Sequence, residues 1–252
     1  MNLHQIIADY HSGKPVLIWR GESALEPGIE SVAVLWFTST NSKTGPMHQL
    51  SFYNVYPDDY PYGGHVGAGC GKCPASEYCY VLAGPDGRFN ELKRRRSWVE
   101  SLPVVPSRYW SRLISHPVRV GKYGDGSCMP FEQFRKLARC FLAGHTGYTH
   151  FWRDCDQRLR NYLMASVESL DAAKLAVSMG WKYYLIQPVD NIKSPCPELR
   201  EFLGQNNVSD CVVCPHYFNQ SQCYECRLCD GQKRLSIIAP VHGTLRGRFP
   251  IV

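Results

Sequence analysis

Short apolar runs separated by polar turns divide this chain into two parts. In the first part, apolar runs at residues 32–38 and 47–55 flank a turn rich in Ser, Asn and Gly. This arrangement predicts an antiparallel pair of strands. A glycine-rich loop with three cysteines follows, and residues 89–100 then predict a helix.

From residue 117 onward, apolar runs of strand length alternate with helical patterns. The predicted strands are at residues 118–123, 146–152, 163–167, 182–187 and 235–241. The predicted helices are at residues 130–144, 154–162 and 169–180. The last helix is the clearest in the chain, because Ser169 is a good N-cap and Gly180 a good stop.

Strands that alternate with helices at spacings of about 20–35 residues predict βαβ units and a parallel sheet. The expected fold is therefore α/β, either a partial (β/α) barrel or an open, mostly parallel sheet of about six strands. An N-terminal antiparallel strand pair and two cysteine-rich metal-binding loops complete it. We expect a single domain over residues 1–252, with a cysteine loop at 63–87 and a cysteine-rich insertion at 194–231.

Composition favours a self-supporting core and a reducing compartment. Apolar residues make up 44% of the 252 positions, which is enough for a sizeable core, so disulfide cross-links between cysteines are not needed to stabilise the fold. The N-terminus has no export signal, and no apolar run approaches the ~18 residues of a membrane span. We therefore expect a cytoplasmic protein without membrane contact, in which clustered cysteines bind metal or react instead of forming disulfides.

The net charge of +6 gives weak support for a nucleic-acid partner. Basic residues that could face phosphate are Lys93, Arg94, Arg95, Arg96, Arg246 and Arg248. The alternative is a solvated helix face. Four thiolates around a divalent ion carry about −2, so two such sites would lower the net charge to roughly +2.

Six of the twelve cysteines fall near the C-terminus, at Cys196, Cys211, Cys214, Cys223, Cys226 and Cys229. The last three are spaced C-x2-C-x2-C, and Cys196 is followed by proline. This pattern matches a ferredoxin-type iron–sulfur cluster on Cys196 and the last three. The pairs Cys211/Cys214 and Cys223/Cys226 instead match a four-thiolate zinc site, in which Cys226/Cys229 could replace the second pair. His216 is a candidate nitrogen ligand, and the choice between zinc and iron–sulfur stays open.

A second group of thiols, Cys70, Cys73 and Cys79, lies in the glycine-rich loop. Three protein ligands leave a coordination position open, as catalytic metals require. A fourth ligand such as His65 would instead close the site and make it structural. Of the isolated cysteines, Cys140 is expected in the core, whereas Cys128 and Cys155 are weak candidates as further ligands.

Polar residues at strand ends indicate where chemistry would take place. Ligands of α/β folds bind at the carboxyl ends of parallel strands. The residues there are Asp125, His150, Glu168, Gln187 and His242. The first three are the candidate catalytic residues. The alternative is that the carboxylates cap helices and the histidines are satisfied interior groups.

Several long segments resemble a family of phage and plasmid proteins known as gene product 88-like, for which no function is carried over. The resemblance rests on GAGCGKCPASEYCYVLAGP, RVGKYGDGSCMPFEQFRKL, AGHTGYTHFW, LMASVESLDAAKLAVSMGWKYYLI and CYECRLCDG. It implies the cytoplasm of a host cell as the location. The thiol triplet before βα units is more loosely similar to radical S-adenosylmethionine enzymes, which would imply that cofactor. Those enzymes use C-x3-C-x2-C, and this chain has C-x2-C-x5-C.

Three hypotheses about function follow from these patterns. The first is an iron–sulfur or other metalloenzyme with its pocket at the strand ends. The second is a zinc-stabilised protein that binds nucleic acid without catalysis. The third is a structural or interaction protein in which metal replaces part of a small core.

Overall fold

The structure is a computed structural model and describes residues 2–38, 42–59, 73, 95–187, 211–233 and 235–240. Its strands are β1 Val16–Glu22, β2 Glu30–Thr38, β3 His48–Asn54, β4 Val118–Val120, β5 His145–Thr149, β6 Met164–Val167, β7 Tyr183–Gln187, β8 Cys211–Val213 and β9 Ser236–Pro240. Its α-helices are α1 Leu3–His11, α2 Arg96–Ser101, α3 Trp110–Leu113, α4 Phe131–Ala138, α5 Leu170–Ser178, α6 His216–Asn219 and α7 Cys223–Cys226. Short 3-10 helices lie at Ser107–Tyr109, Gly126–Cys128 and Gln157–Asn161.

The strands form one mixed sheet in the order β1-β2-β3-β4-β5-β6-β7-β9-β8. Strand β2 pairs antiparallel with both β1 and β3. All further pairings, from β3–β4 to β8–β9, are parallel. This confirms the α/β prediction of a mostly parallel sheet and the antiparallel β2–β3 pair. Strand β1 is an additional antiparallel strand that the apolar pattern did not predict.

The main hydrophobic core lies on the face of the sheet that α1, α4 and α5 cover. Because strand side chains alternate, Ala165 and Val167 of β6 join this core whereas Met164 points to the other face. That other face carries two smaller clusters. One surrounds Val32 and Val34 of β2, and the other contains Met164 together with Cys214 and Cys229.

Two elements differ from their predicted extent for reasons of local hydrogen bonding. The helix predicted to reach residue 144 ends at Ala138, because the amides of Cys140 and Phe141 bond three residues back, to Leu137 and Ala138. Such tighter bonds commonly end an α-helix. The helix predicted at residues 154–162 is a 3-10 helix over Gln157–Asn161.

None of the helices in the described ranges is long and apolar enough to cross a membrane. This agrees with the lack of a long apolar run in the sequence.

Candidate metal centre and carboxyl-edge site

The three predicted catalytic residues come together at the carboxyl ends of β4, β5 and β6. Nε2 of His150 lies 3.8 Å from Oε1 of Glu168. The backbone amide of His150 donates to Oδ2 of Asp125 at 2.9 Å. The sequence therefore placed these residues correctly as neighbours, although their proposed chemistry stays a prediction.

Asp125 is a fully engaged carboxylate that caps the 3-10 helix Gly126–Cys128. Its Oδ1 accepts hydrogen bonds from the amide and the hydroxyl of Ser127, at 3.0 and 2.7 Å. Thr149 in turn donates to the Ser127 hydroxyl at 3.1 Å. With Oδ2 holding the His150 amide, Asp125 fixes the backbone at the end of β5.

Glu168 differs from Asp125 in that its buried oxygen is not engaged. Oε1 is buried and accepts no hydrogen bond from the described residues. Burial raises the pKa of Glu168, while His150 and Arg153 act in the opposite direction. A carboxyl group in such surroundings is a stronger base than an exposed one.

Four of the predicted metal ligands line one cavity: Cys214, Cys223, Cys226 and Cys229. The cavity measures about 20 Å³ and is walled by Thr146 and Tyr148 of β5, by His216 and by Ile237 of β9. Such a volume is close to that of a single water-sized particle. The four cysteines thus line the same small space.

Cys211 lies on the opposite face of the sheet from this cavity. It packs against the main core, whereas Cys214 belongs to the cluster with Met164 and Ile237. Burial raises the pKa of Cys211 to about 11. Strand β8 separates the two thiols because its side chains alternate between faces. The structure therefore does not bring Cys211 and Cys214 together as a pair.

Backbone hydrogen bonds hold residues 223–231, the cysteine segment, against the sheet. The amides of Cys223 and Tyr224 donate to the carbonyls of Lys43 and Thr44, at 2.9 and 3.0 Å. The amide of Gly147 in β5 donates to the carbonyl of Cys229 at 2.8 Å. These bonds fix both ends of the C-x2-C-x2-C run.

The turn inside this run is made at Arg227, a non-glycine residue with a φ of 47°. Its guanidinium donates to the carbonyl of Ala143 at 2.6 Å. The carbonyl of Arg227 accepts from Nζ of Lys233 at 2.8 Å. These contacts offset the cost of the left-handed conformation, about 1–2 kcal/mol, and direct Cys229 back toward the cavity.

Lys43 supplies positive charge beside the thiols. Its Nζ donates to the Tyr217 hydroxyl at 2.9 Å. Burial lowers the pKa of Lys43, but the Tyr217 hydroxyl and the thiols of Cys214 and Cys223 outweigh this effect, so the net shift is upward. Burial raises the pKa of both thiols, and Lys43 opposes that rise. No pattern in the sequence marks Lys43, because it lies in an ordinary polar turn.

The donor set fits a thiophilic metal, although the thiols do not yet enclose one. Four cysteine sulfurs are the ligand set of closed zinc sites. In the described part of the chain, no three His, Cys, Asp or Glu side chains are grouped tightly enough to hold an ion as they stand. Ligation therefore requires the thiols to rotate inward around the cavity.

The structure describes few of the other predicted metal ligands. Four of them lie outside the described residues, namely Cys70, Cys79, Cys196 and His65, while Cys73 is half-buried. The ligand sets that use them stay predictions. The strand-end residue His242 also lies outside the described residues. Cys128 and Cys155 are buried in the main core, where Cys140 also packs at its margin.

The basic run offers limited evidence of a phosphate-binding patch. Arg96 lies 3.4 Å from the carboxylate of Glu30 and 4.0 Å from that of Glu100. Its charge is thus partly neutralised within the chain. Lys93, Arg94, Arg246 and Arg248 lie outside the described residues, so the nucleic-acid partner stays a prediction.

Comparison of this chain with protein-family models, with curated proteins and with solved structures finds no match. The resemblance to gene product 88-like proteins therefore stays a prediction. Function is therefore inferred from the cysteine-lined cavity and from the group of Asp125, His150 and Glu168.

Proposed function

We propose that this protein is a metalloprotein in which Cys214, Cys223, Cys226 and Cys229 hold one metal centre. The proposal rests on one observation, the convergence of these four thiols on a single small cavity. Four cysteine sulfurs are the ligand set of a closed zinc site, and four cysteine thiolates also hold iron–sulfur clusters. The choice between zinc and iron–sulfur therefore stays open.

Electrostatics support a positively charged occupant. A buried thiolate is costly without a positive partner, and burial raises the pKa of Cys214, Cys223 and Cys229. A divalent ion would deprotonate the thiols and offset this cost. Lys43 would balance part of the remaining negative charge of about −2.

The centre would hold the cysteine segment onto the sheet. Three of its thiols belong to a segment that bonds to Lys43 and Thr44 before β3 and to Gly147 of β5. Cys214 follows β8 at the far edge of the sheet. One ion bound to all four would therefore connect the two halves of the sheet, and its binding energy would add to folding energy.

Further features of the earlier hypotheses are compatible with this proposal. The parallel strands β3 to β7 and β9 would supply the βα units of the partial barrel we propose, with Asp125, His150 and Glu168 at their carboxyl ends. A more specific form of this proposal adds an iron–sulfur centre on Cys70, Cys73 and Cys79, with S-adenosylmethionine as its cofactor. The metal centre at Cys214–Cys229 does not depend on it.

The experiment is metal analysis of protein purified without oxygen, with paired cysteine variants. Cys229→Ser removes a proposed ligand, so we expect the metal bound per chain at this centre to be lost. Cys211→Ser is the matched control, because that thiol lies on β8, three residues before Cys214, but on the other face of the sheet. We expect it to retain the metal. Retention of the metal by Cys229→Ser, or its loss from Cys211→Ser, would contradict the proposed ligand set.

A further inference from the structure

We propose that Glu168 and His150 form a second site, an acid–base pair for a bound ligand that carries a hydroxyl or amine hydrogen. The pair lies at the carboxyl ends of β5 and β6, and neither residue lines the cysteine cavity. The proposal is therefore independent of the metal centre.

The first argument is the unengaged oxygen of Glu168. Oε1 is buried but accepts no hydrogen bond from the described residues. A buried acceptor without a donor costs about 1–3 kcal/mol. A ligand that donates an O–H or N–H hydrogen to this oxygen would recover that free energy, which defines the class of ligand.

The second argument is the position of His150. Its Nε2 lies 3.8 Å from Oε1 of Glu168, slightly beyond hydrogen-bond length. At this distance the imidazole lies beside Oε1 without occupying it, so the oxygen stays open to a hydrogen of the ligand. Asp125 holds the His150 backbone amide at 2.9 Å, so the imidazole stays beside the carboxylate. About a third of the His150 side chain remains exposed (33%), which leaves it accessible to a ligand.

The proton path balances without any further reactant. The ligand's O–H or N–H bond breaks as the Glu168 carboxylate takes the hydrogen as a proton. The proton then passes to Nε2 of His150, and the reverse steps return it. Asp125 is not the base, because its two oxygens are engaged by Ser127 and His150. Arg153 is the nearby cation that acts on Glu168, and it would stabilise the carboxylate before proton uptake.

Binding is tested with a defined panel of probes, namely glycerol, glucose and ethanolamine, by ligand-detected NMR at neutral pH. We expect the wild-type protein to bind at least one of them. Glu168→Gln should weaken that binding by about tenfold or more, because a hydrogen bond to a charged group is lost. Glu132→Gln is the control, an exposed carboxylate on α4, and should bind as the wild type does. Failure of the wild type to bind any probe, or equal binding by Glu168→Gln, would overturn the proposal.

A separate experiment tests whether Glu168 acts on the imidazole of His150. Diethyl pyrocarbonate acylates neutral imidazole, and peptide mass analysis measures the reaction at each histidine. We expect the rate of acylation at His150 at neutral pH to differ between the wild type and Glu168→Gln, because the carboxylate beside the imidazole is lost, while the rate at His116 stays the same. Identical His150 rates in the two proteins would show that Glu168 does not act on the imidazole and would refute the pair.

Discussion

His48 shows how a single buried side chain can make stability depend on pH. It is fully buried, and its Nε2 accepts from the amides of Ser115 and His116, at 3.1 and 3.2 Å. Its Nδ1 lies 2.9 Å from the Tyr10 hydroxyl, which itself donates to the carbonyl of Trp36. The ring therefore carries its hydrogen on Nδ1 and is neutral, since a proton on Nε2 would face two donors.

We predict that His48 destabilises the protein in acid. Burial, followed by His116 and His11, lowers its pKa from 6.5 to about 4. A histidine whose folded pKa is lowered stabilises fully above 6.5 and loses that contribution as the pH falls toward 4. The loss amounts to about 3 kcal/mol. Urea unfolding at pH 7, 5.5 and 4 measures it, and His48→Gln should show a smaller pH dependence by that amount. Equal pH dependence in both proteins would exclude His48 as the cause.

At the level of single residues, sequence spacing predicted only part of the proposed metal site. Cys223, Cys226 and Cys229 were identified correctly as neighbours because they lie within one short turn. Cys211 and Cys214 have the same C-x2-C spacing, yet the strand between them sends their side chains to opposite faces. Lys43 comes from a turn far away in sequence, so only the tertiary structure shows that it lies beside the thiols.

Among the elements, the cysteine segment fits the sheet only where glycine allows close approach. A Cβ on Gly231 would lie 2.7 Å from the amide nitrogen of Leu163 and 2.8 Å from its carbonyl oxygen. Both are backbone atoms just before β6 and cannot give way. Gly231 also has a φ of 73°, which side-chain-bearing residues rarely adopt.

We predict that Gly231→Ala lowers the free energy of unfolding by about 3 kcal/mol or more, from backbone strain and overlap together. Gly13→Ala is the matched control. Its φ of 99° is also left-handed, but nothing lies within 4 Å of the added Cβ, so only the strain of about 1 kcal/mol applies. Urea unfolding of both variants compares them. An equal loss would mean that the segment does not pack against Leu163.

Element prediction succeeded where local signals were strong. Helix α5 was predicted because Ser169 is an N-cap, and its hydroxyl does accept from the amide of Ala172 at 3.2 Å. Strand β8 has only three residues and depends on its pairing with β9, so its own sequence carried no clear pattern. Strand β1 was missed although it pairs with β2 along its whole length.

For the whole molecule, the metal centre would join parts of the chain that are far apart in sequence. The cysteine segment bonds both to the turn before β3 and to β5, and it covers the sheet face opposite the main core. Without an ion, those contacts rest on a few hydrogen bonds and one small hydrophobic cluster. Metal loss should therefore loosen this face while the main core stays folded.

Hydrogen exchange tests this prediction after removal of the metal with a chelator. The amides of Gly147 and Tyr224 should exchange faster, because their acceptors belong to, or contact, the cysteine segment. The amide of Ala173 should keep its protection, since it lies in α5 on the other face and bonds to Ser169. A uniform loss of protection would instead mean that the whole fold depends on the ion.

X-ray absorption spectroscopy at the edge of the bound metal tests the central claim most directly, because it counts and identifies the ligand atoms. For zinc held by Cys214, Cys223, Cys226 and Cys229, we predict four sulfur neighbours at about 2.3 Å and no nitrogen or oxygen ligand. Cys229→Ser should change this shell, and Cys211→Ser should leave it intact. A shell dominated by nitrogen or oxygen, or one unaffected by loss of Cys229, would contradict the four-thiolate centre.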